Sequence, residues 1–92
     1  MPNDALAALL AALQARGRMG WVFLPAEALG VLCTAVAPPG PLQRGEGWRL
    51  ALQVRAAYEG AGYPVHTDGQ RSYELAGLVA TVERMLDAGS EG

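Results

Sequence analysis

Hydrophobic positions recur along most of the chain at the spacing of amphipathic helices. Leucines repeat at i, i+3, i+4 and i+7 near the start, which predicts a helix over 5–15. Similar apolar stripes predict three more helices, over 25–36, 48–59 and 67–87. The apolar stripe of the last helix is the longest: Leu75, Leu78, Val79, Val82, Met85 and Leu86.

Residues at the ends of these stripes suit helix termini. Asn3 or Asp4 can accept a hydrogen bond from an early backbone N–H of the first helix, and Gly17 can end it. Pro25 is predicted at the first position of the second helix, where its missing N–H costs nothing. Gly60 is predicted to stop the third helix.

Two segments allow more than one interpretation. The run 21–24 is rich in strand-forming residues, but no second strand of similar quality is evident. It is therefore interpreted as an extended linker that packs Trp21 and Phe23 onto the core. The segment 67–70 fits a capping box that starts the last helix, while Asp68 and Gly69 also fit the turn of a hairpin between 63–67 and 70–73. The long apolar stripe that follows favours the helix.

Together these elements predict an all-α fold, a small four-helix bundle with long connections rich in proline and glycine. The segment 37–41, with three prolines, ends the second helix and begins a loop that continues to Gly47. We expect a single helical domain over 1–88 and a flexible tail over 89–92, with no internal repeat in the sequence.

Charge is distributed unevenly, since twelve of the sixteen charged residues lie from Arg44 onward. The first two helices are therefore apolar or covered by alanine almost all round, although the surface helix of a small monomer normally carries a charged face. This pattern indicates that both helices bury more than one face against a second copy or a partner. The candidate interface residues are Ala8, Ala12, Leu13, Val31, Ala35, Ala76, Gly77 and Ala80.

Candidate chemistry is sparse. His66 has Asp68, Ser72 and Glu74 nearby in sequence, but it is interpreted as a solvated loop histidine. Cys33 is the only cysteine and is expected to be buried and inert. No catalytic residue, metal site or cofactor is therefore predicted, and the chain is not expected to be an enzyme.

Nucleic acid is a disfavoured partner, because the net charge is −2 and the arginines are scattered. The connections between the predicted helices are also too long for a tight helix-turn-helix. The arginines concerned are Arg44, Arg49, Arg55 and Arg71.

No stretch predicts a secretory signal or a membrane span, so a cytoplasmic location without membrane association is expected. The sequence favours a small non-catalytic protein–protein interaction module, an adaptor, assembly factor or regulator of bacterial or phage origin. Such a module acts as a homodimer or docks on a larger partner. The alternative is a dimeric nucleic-acid-binding regulator that pools its arginines.

Overall fold

The computed structural model describes residues 2–36 and 44–90. It contains four helices and three short strands in the order α1 (Pro2–Arg18), β1 (Phe23–Pro25), α2 (Ala26–Val36), α3 (Arg44–Gly60), β2 (Val65–His66), β3 (Ser72–Glu74) and α4 (Leu75–Ser90). The fold is mostly helical, as predicted, but the sheet means that it is not purely all-α. The predicted loop over 37–41 lies outside the described residues.

Three of the helices extend beyond their predicted limits, while α2 begins at Ala26 rather than at Pro25, which lies in β1. α1 continues past Gly17 to Arg18, and the turn that follows contains Gly20, whose φ of +96° suits a residue without a side chain. α3 begins at Arg44, so the loop expected to reach Gly47 is already helical there. Likewise, α4 includes positions 89 and 90, which were predicted to belong to a flexible tail.

A three-stranded antiparallel sheet joins the helices, with β3 between β1 and β2. The linker predicted around Trp21 therefore contains a strand, and its partner β3 lies about fifty residues later in the chain. Leu24 faces Tyr73 in the β1–β3 register, and both side chains are fully buried. The same alternation leaves Phe23 exposed, and Trp21 is exposed as well, so the prediction that these two rings pack onto the core was wrong.

The hairpin interpretation of the segment after α3 is the correct one. β2 and β3 pair on either side of a turn in which Gly69 has a φ of +87°. Helix α4 starts at Leu75, so Thr67 and Gln70 do not form the predicted capping box. The apolar stripe that favoured an earlier start belongs to α4 alone.

The hydrophobic core contains the predicted stripe residues of all four helices together with Leu24 and Tyr73. Cys33 is fully buried in it, as predicted, and burial raises the pKa of its thiol to about 12. The helices pack mainly in two pairs, α1 on α4 and α2 on α3, with the sheet connecting the pairs.

Each half of the chain contains a long helix and, later, a strand that runs directly into a second helix: α1, β1 and α2 in the first half, and α3, β3 and α4 in the second half, where β2 is an additional strand. The two strand–helix junctions exchange hydrogen bonds: Ala26 N–H donates to Arg71 O at 2.9 Å, and Leu75 N–H donates to Val22 O at 2.8 Å. α1 and α3 also end alike, since Trp21 and Tyr63 each donate a backbone N–H to the carbonyl five residues earlier. The two halves therefore meet in a pseudo-two-fold arrangement around β1 and β3.

Candidate interaction surface

A groove of about 680 Å³ lies between α2 and α3 and is lined mainly by apolar atoms. Helix α2 contributes one wall and α3 contributes the other. We call this feature the α2–α3 groove; its lining consists of Ala26, Glu27, Gly30, Val31, Thr34, Ala35, Trp48 and Arg55.

One glycine allows the walls of the groove to come together. A Cβ atom on Gly47 would lie 2.4 Å from the Cα atom of Thr34, so the backbones of α3 and α2 approach too closely there for any side chain. One turn earlier on α2, Gly30 lies beside the ring of Trp48, which a Cβ would meet at an ordinary contact distance of 3.6 Å. The Thr34 hydroxyl donates to the Gly30 carbonyl at 2.8 Å, which satisfies the polar group at this crossing.

Large apolar side chains are exposed along the groove. Val31 is 64% exposed and Trp48 is 58% exposed, although both line it. Leu52 is 47% exposed and lies one turn after Trp48, on the same face of α3. An exposed apolar cluster around a concave surface is typical of a binding site rather than of a solvated helix pair.

Two charges border this apolar surface. Arg55 is half-buried, and its guanidinium carbon lies 6.0 Å from the centre of the Tyr73 ring. Its Nε atom is buried and has no hydrogen-bond partner among the residues that the structure describes. Glu27 lies in the first turn of α2, where the helix dipole favours an anion. Among the described residues neither Glu27 nor Arg55 has an ion-pair partner, although both line the same groove.

A second apolar surface follows the end of α1. Met19, Trp21, Val22 and Phe23 are all exposed, and Arg16 lies over the Trp21 ring at 5.7 Å from its centre. The two depressions beside Trp21 measure about 320 and 380 Å³, roughly half the size of the α2–α3 groove. This surface has smaller concavities, and a cation already covers its largest ring.

The predicted interface residues fall in three different environments. Val31 and Ala35 line the α2–α3 groove. Ala8 and Ala76 are exposed elsewhere, on α1 and α4, and Ala12 and Ala80 are half-buried.

Leu13 and Gly77, by contrast, are buried within the chain's own core, so neither is available to a partner. Position 77 requires a glycine, because a Cβ there would lie 2.8 Å from the ring of Tyr58 and 3.2 Å from the ring of Tyr63. This position of the predicted interface therefore serves to pack two tyrosines of the same chain.

Sequence reasoning did not assign Glu27, Trp48 or Arg55, which line the groove, to an interface, nor Leu52, which is exposed beside it. The sequence did contain an indication for two of them: Trp48 and Leu52 are large apolar residues beside the main apolar stripe of α3 rather than on it, which is a position open to a partner. Arg55 gave no such signal, because it was interpreted as one of several scattered, solvated arginines.

His66 lies in β2 rather than in a loop, and its Nε2 atom is 3.4 Å from the Oε2 atom of Glu74. The Phe23 ring meets the imidazole edge to face at 4.8 Å between centroids, and Ser72 is the residue opposite His66 in the hairpin. Ser72 donates no hydrogen bond to His66 within the described residues. The pair is partly exposed on the outer face of the sheet and lacks the geometry of an activated nucleophile.

Within residues 2–36 and 44–90, no group of three or more His, Cys, Asp or Glu side chains is placed to hold a metal ion. None of the helices described there has the length and apolar run required to cross a bilayer. No protein-family model, curated protein or solved structure matches the chain.

Proposed function

We propose that this chain is a non-catalytic protein–protein interaction module, an adaptor, assembly factor or regulator, whose docking surface is the α2–α3 groove. The observation that supports the proposal most directly is the exposure of Val31, Trp48 and Leu52 around one apolar groove. Solvent contact at three such side chains is unfavourable, and burying them would contribute about 25 cal/mol per Å² of apolar surface. Tryptophan is also enriched among the residues that dominate binding energy in interfaces.

The α2–α3 groove replaces the alanine face of α1 as the centre of the proposed interface. Alanine side chains such as Ala8 bury little apolar area, whereas the groove combines a tryptophan, a cation and a concavity. Of the residues predicted from sequence, Val31 and Ala35 remain in the proposed interface. A cytoplasmic site of action is part of the same proposal.

A comparison of two valines tests this function. Val31 is 64% exposed in the groove and Val22 is 65% exposed outside it, so Val31→Glu and Val22→Glu place the same charge at equally open positions. Each variant and the parent chain would be immobilised and exposed to an extract of the native host, with retained proteins measured by quantitative mass spectrometry. We expect a specific protein, this chain itself included, to be retained by the parent and by Val22→Glu but lost on Val31→Glu. Equal retention by all three would contradict the proposal.

A second candidate function, nucleic-acid binding, is favoured by the order of the elements. Helices α2 and α3 form a packed pair followed by the β2–β3 hairpin, and β3 also pairs with the strand before α2. Winged helix-turn-helix domains have this order, and helix-turn-helix proteins place the second helix of the pair in the DNA major groove.

The side chains of α3 make this second candidate the weaker one. Its exposed face presents Trp48 and Leu52, and the groove beside it carries Glu27. Fluorescence anisotropy with random duplex DNA at low salt separates the candidates. Binding that weakens steeply with added salt and is reduced by Arg49→Ala would favour the nucleic-acid function, since phosphate contacts release counterions. We expect no such binding.

A further inference from the structure

We propose that the α2–α3 groove is the interface of a two-fold symmetric dimer of this chain. This inference rests on the proposed function and specifies the partner as a second copy. The observation that carries it is the pair of opposite charges, Glu27 and Arg55, that line one groove without pairing to each other.

Charge complementarity favours a second copy over an unrelated partner. An interface related by a two-fold axis places residue i against residue j and residue j against residue i. Glu27 of one copy can therefore meet Arg55 of the other, twice, and both charges are neutralised. An acidic partner would pair with Arg55 but would face Glu27 with like charge, and a basic partner would have the reverse fault.

The apolar part of this surface is also complementary to itself in shape. The groove supplies a concavity, with Val31 and the Trp48 ring on its walls. Leu52 is exposed one turn further along α3 and does not line the groove of its own copy. It is therefore available as a projecting side chain that fills the groove of the second copy, where it would lie against Val31 and Trp48.

A contact of ordinary size would extend from the groove onto the neighbouring face of α3. A stable interface buries about 800 Å² on each partner, which is about one seventh of the 5707 Å² of accessible surface of this chain. Both walls of the groove and the exposed face of α3 can contribute to that area.

The decisive experiment reverses each of the two charges singly and then mixes the two variants. Sedimentation equilibrium at low ionic strength would measure the dimer affinity of the parent chain, of Glu27→Arg and of Arg55→Glu. In a two-fold dimer each single reversal places like charges opposite each other twice, so we expect each variant to lose roughly tenfold to hundredfold in affinity. An equimolar mixture of the two variants places opposite charges at both contacts, so we expect a heterodimer of near-parental affinity.

Variants at exposed positions separate an effect on dimerisation from an effect on folding. Arg55 is half-buried over Tyr73, so Arg55→Glu can reduce stability by itself. Glu27→Arg and Val31→Glu change exposed side chains; both should unfold in urea like the parent at concentrations at which the parent is monomeric, and both should dimerise more weakly, while Val22→Glu should dimerise normally. A monomeric parent chain, or dimers of unchanged affinity in Glu27→Arg and Val31→Glu, would overturn the inference.

The outcome also separates this inference from the proposed function. A parent chain that is monomeric, but that retains another host protein in a manner abolished by Val31→Glu, overturns the dimer and leaves the interaction module intact. A monomeric chain that retains no protein through the groove overturns both.

Discussion

Gly47 shows how a single residue determines the shape of the candidate site. A Cβ there would lie 2.4 Å from the Cα and 2.8 Å from the backbone nitrogen of Thr34. Because these are backbone atoms, no side-chain rotation can relieve the overlap. The close approach of α3 to α2, and with it the width of the groove, depends on glycine at this position.

We expect Gly47→Ala to lower the free energy of unfolding by about 2 kcal/mol, the middle of the range for overpacking. Gly60→Ala is the matched control, because no atom of the described part of the chain lies within 4 Å of a Cβ at Gly60 and its φ is not positive. That substitution should leave stability unchanged or raise it by about 0.4–1 kcal/mol. Urea denaturation measures both variants, and an equal effect of the two would contradict the packing argument.

Cys33 makes the stability of the fold depend on pH in the alkaline range. Burial raises the pKa of its thiol from 9.0 to about 12. Between these values the unfolded chain releases the proton while the folded chain keeps it, so stability is highest below pH 9 and falls as the pH rises.

We expect this loss to reach at most about 1.4 kcal/mol per pH unit. Cys33→Ala should be less stable at neutral pH because of the cavity, but its stability should fall less steeply above pH 9. Urea denaturation of both proteins over a pH series measures the difference, in which the tyrosines common to both cancel. Parallel pH profiles would show that the thiol does not contribute.

At the scale of single residues, the sequence predicted the environment of a side chain correctly where that environment follows from the apolar character of its own helix. Cys33 was predicted to be buried because its helix carries a single charge, Glu27. Gly47 was predicted to lie in a loop, since the clash that requires glycine involves Thr34 on another helix. A contact between residues of two helices cannot be derived from the spacing within either one.

Tyr58 is the residue through which α3 holds the sheet. Its hydroxyl donates to the Pro64 carbonyl and accepts the Glu74 backbone N–H at 2.9 Å. Its ring packs against Tyr63 and Tyr73, at 5.3 and 5.1 Å between centroids. One side chain therefore fixes both the exit from α3 and the strand that leads into α4, and burial raises its pKa.

We expect Tyr58→Phe to lower the free energy of unfolding by about 1–3 kcal/mol, because it leaves the Glu74 N–H and the Pro64 carbonyl without their partner. Tyr73→Phe provides the control: the Tyr73 hydroxyl is also buried, but it has no hydrogen-bond partner within 2–36 and 44–90. Removing that hydroxyl should be neutral or slightly stabilising. Thermal denaturation of the two variants tests the prediction, and a greater loss for Tyr73→Phe would refute it.

At the level of elements, long periodic segments could be predicted and short strands could not. The four helices were found because each repeats its apolar stripe over several turns. β1 and β3 have only three residues each, and they pair across about fifty residues of chain. The likeness of the two strand–helix junctions was not evident from the sequence for the same reason, since it consists of backbone hydrogen bonds.

For the whole molecule, the sequence indicated that α1 and α2 lack a solvated face, but it did not locate the surface that remains open. Folding covers part of α1 with α4 and leaves alanines such as Ala8 in solvent. Three large exposed apolar side chains, Val31, Trp48 and Leu52, lie on the other helix pair, where Gly47 allows α3 to approach α2 closely. The location of this surface depends on how α2 and α3 pack together, and the apolar stripe of either helix alone does not indicate it.

Association through that surface should make thermal stability depend on protein concentration. A dimer that dissociates on unfolding is stabilised by mass action, so a hundredfold increase in concentration contributes roughly 1.4 kcal/mol per chain at 25 °C. For a domain of this size we expect Tm to rise by about 5–10 °C. Val31→Glu should show a Tm that does not change with concentration, while Val22→Glu should follow the parent chain. Differential scanning calorimetry over that range makes the measurement, and a parental Tm independent of concentration would show that unfolding begins from a monomer.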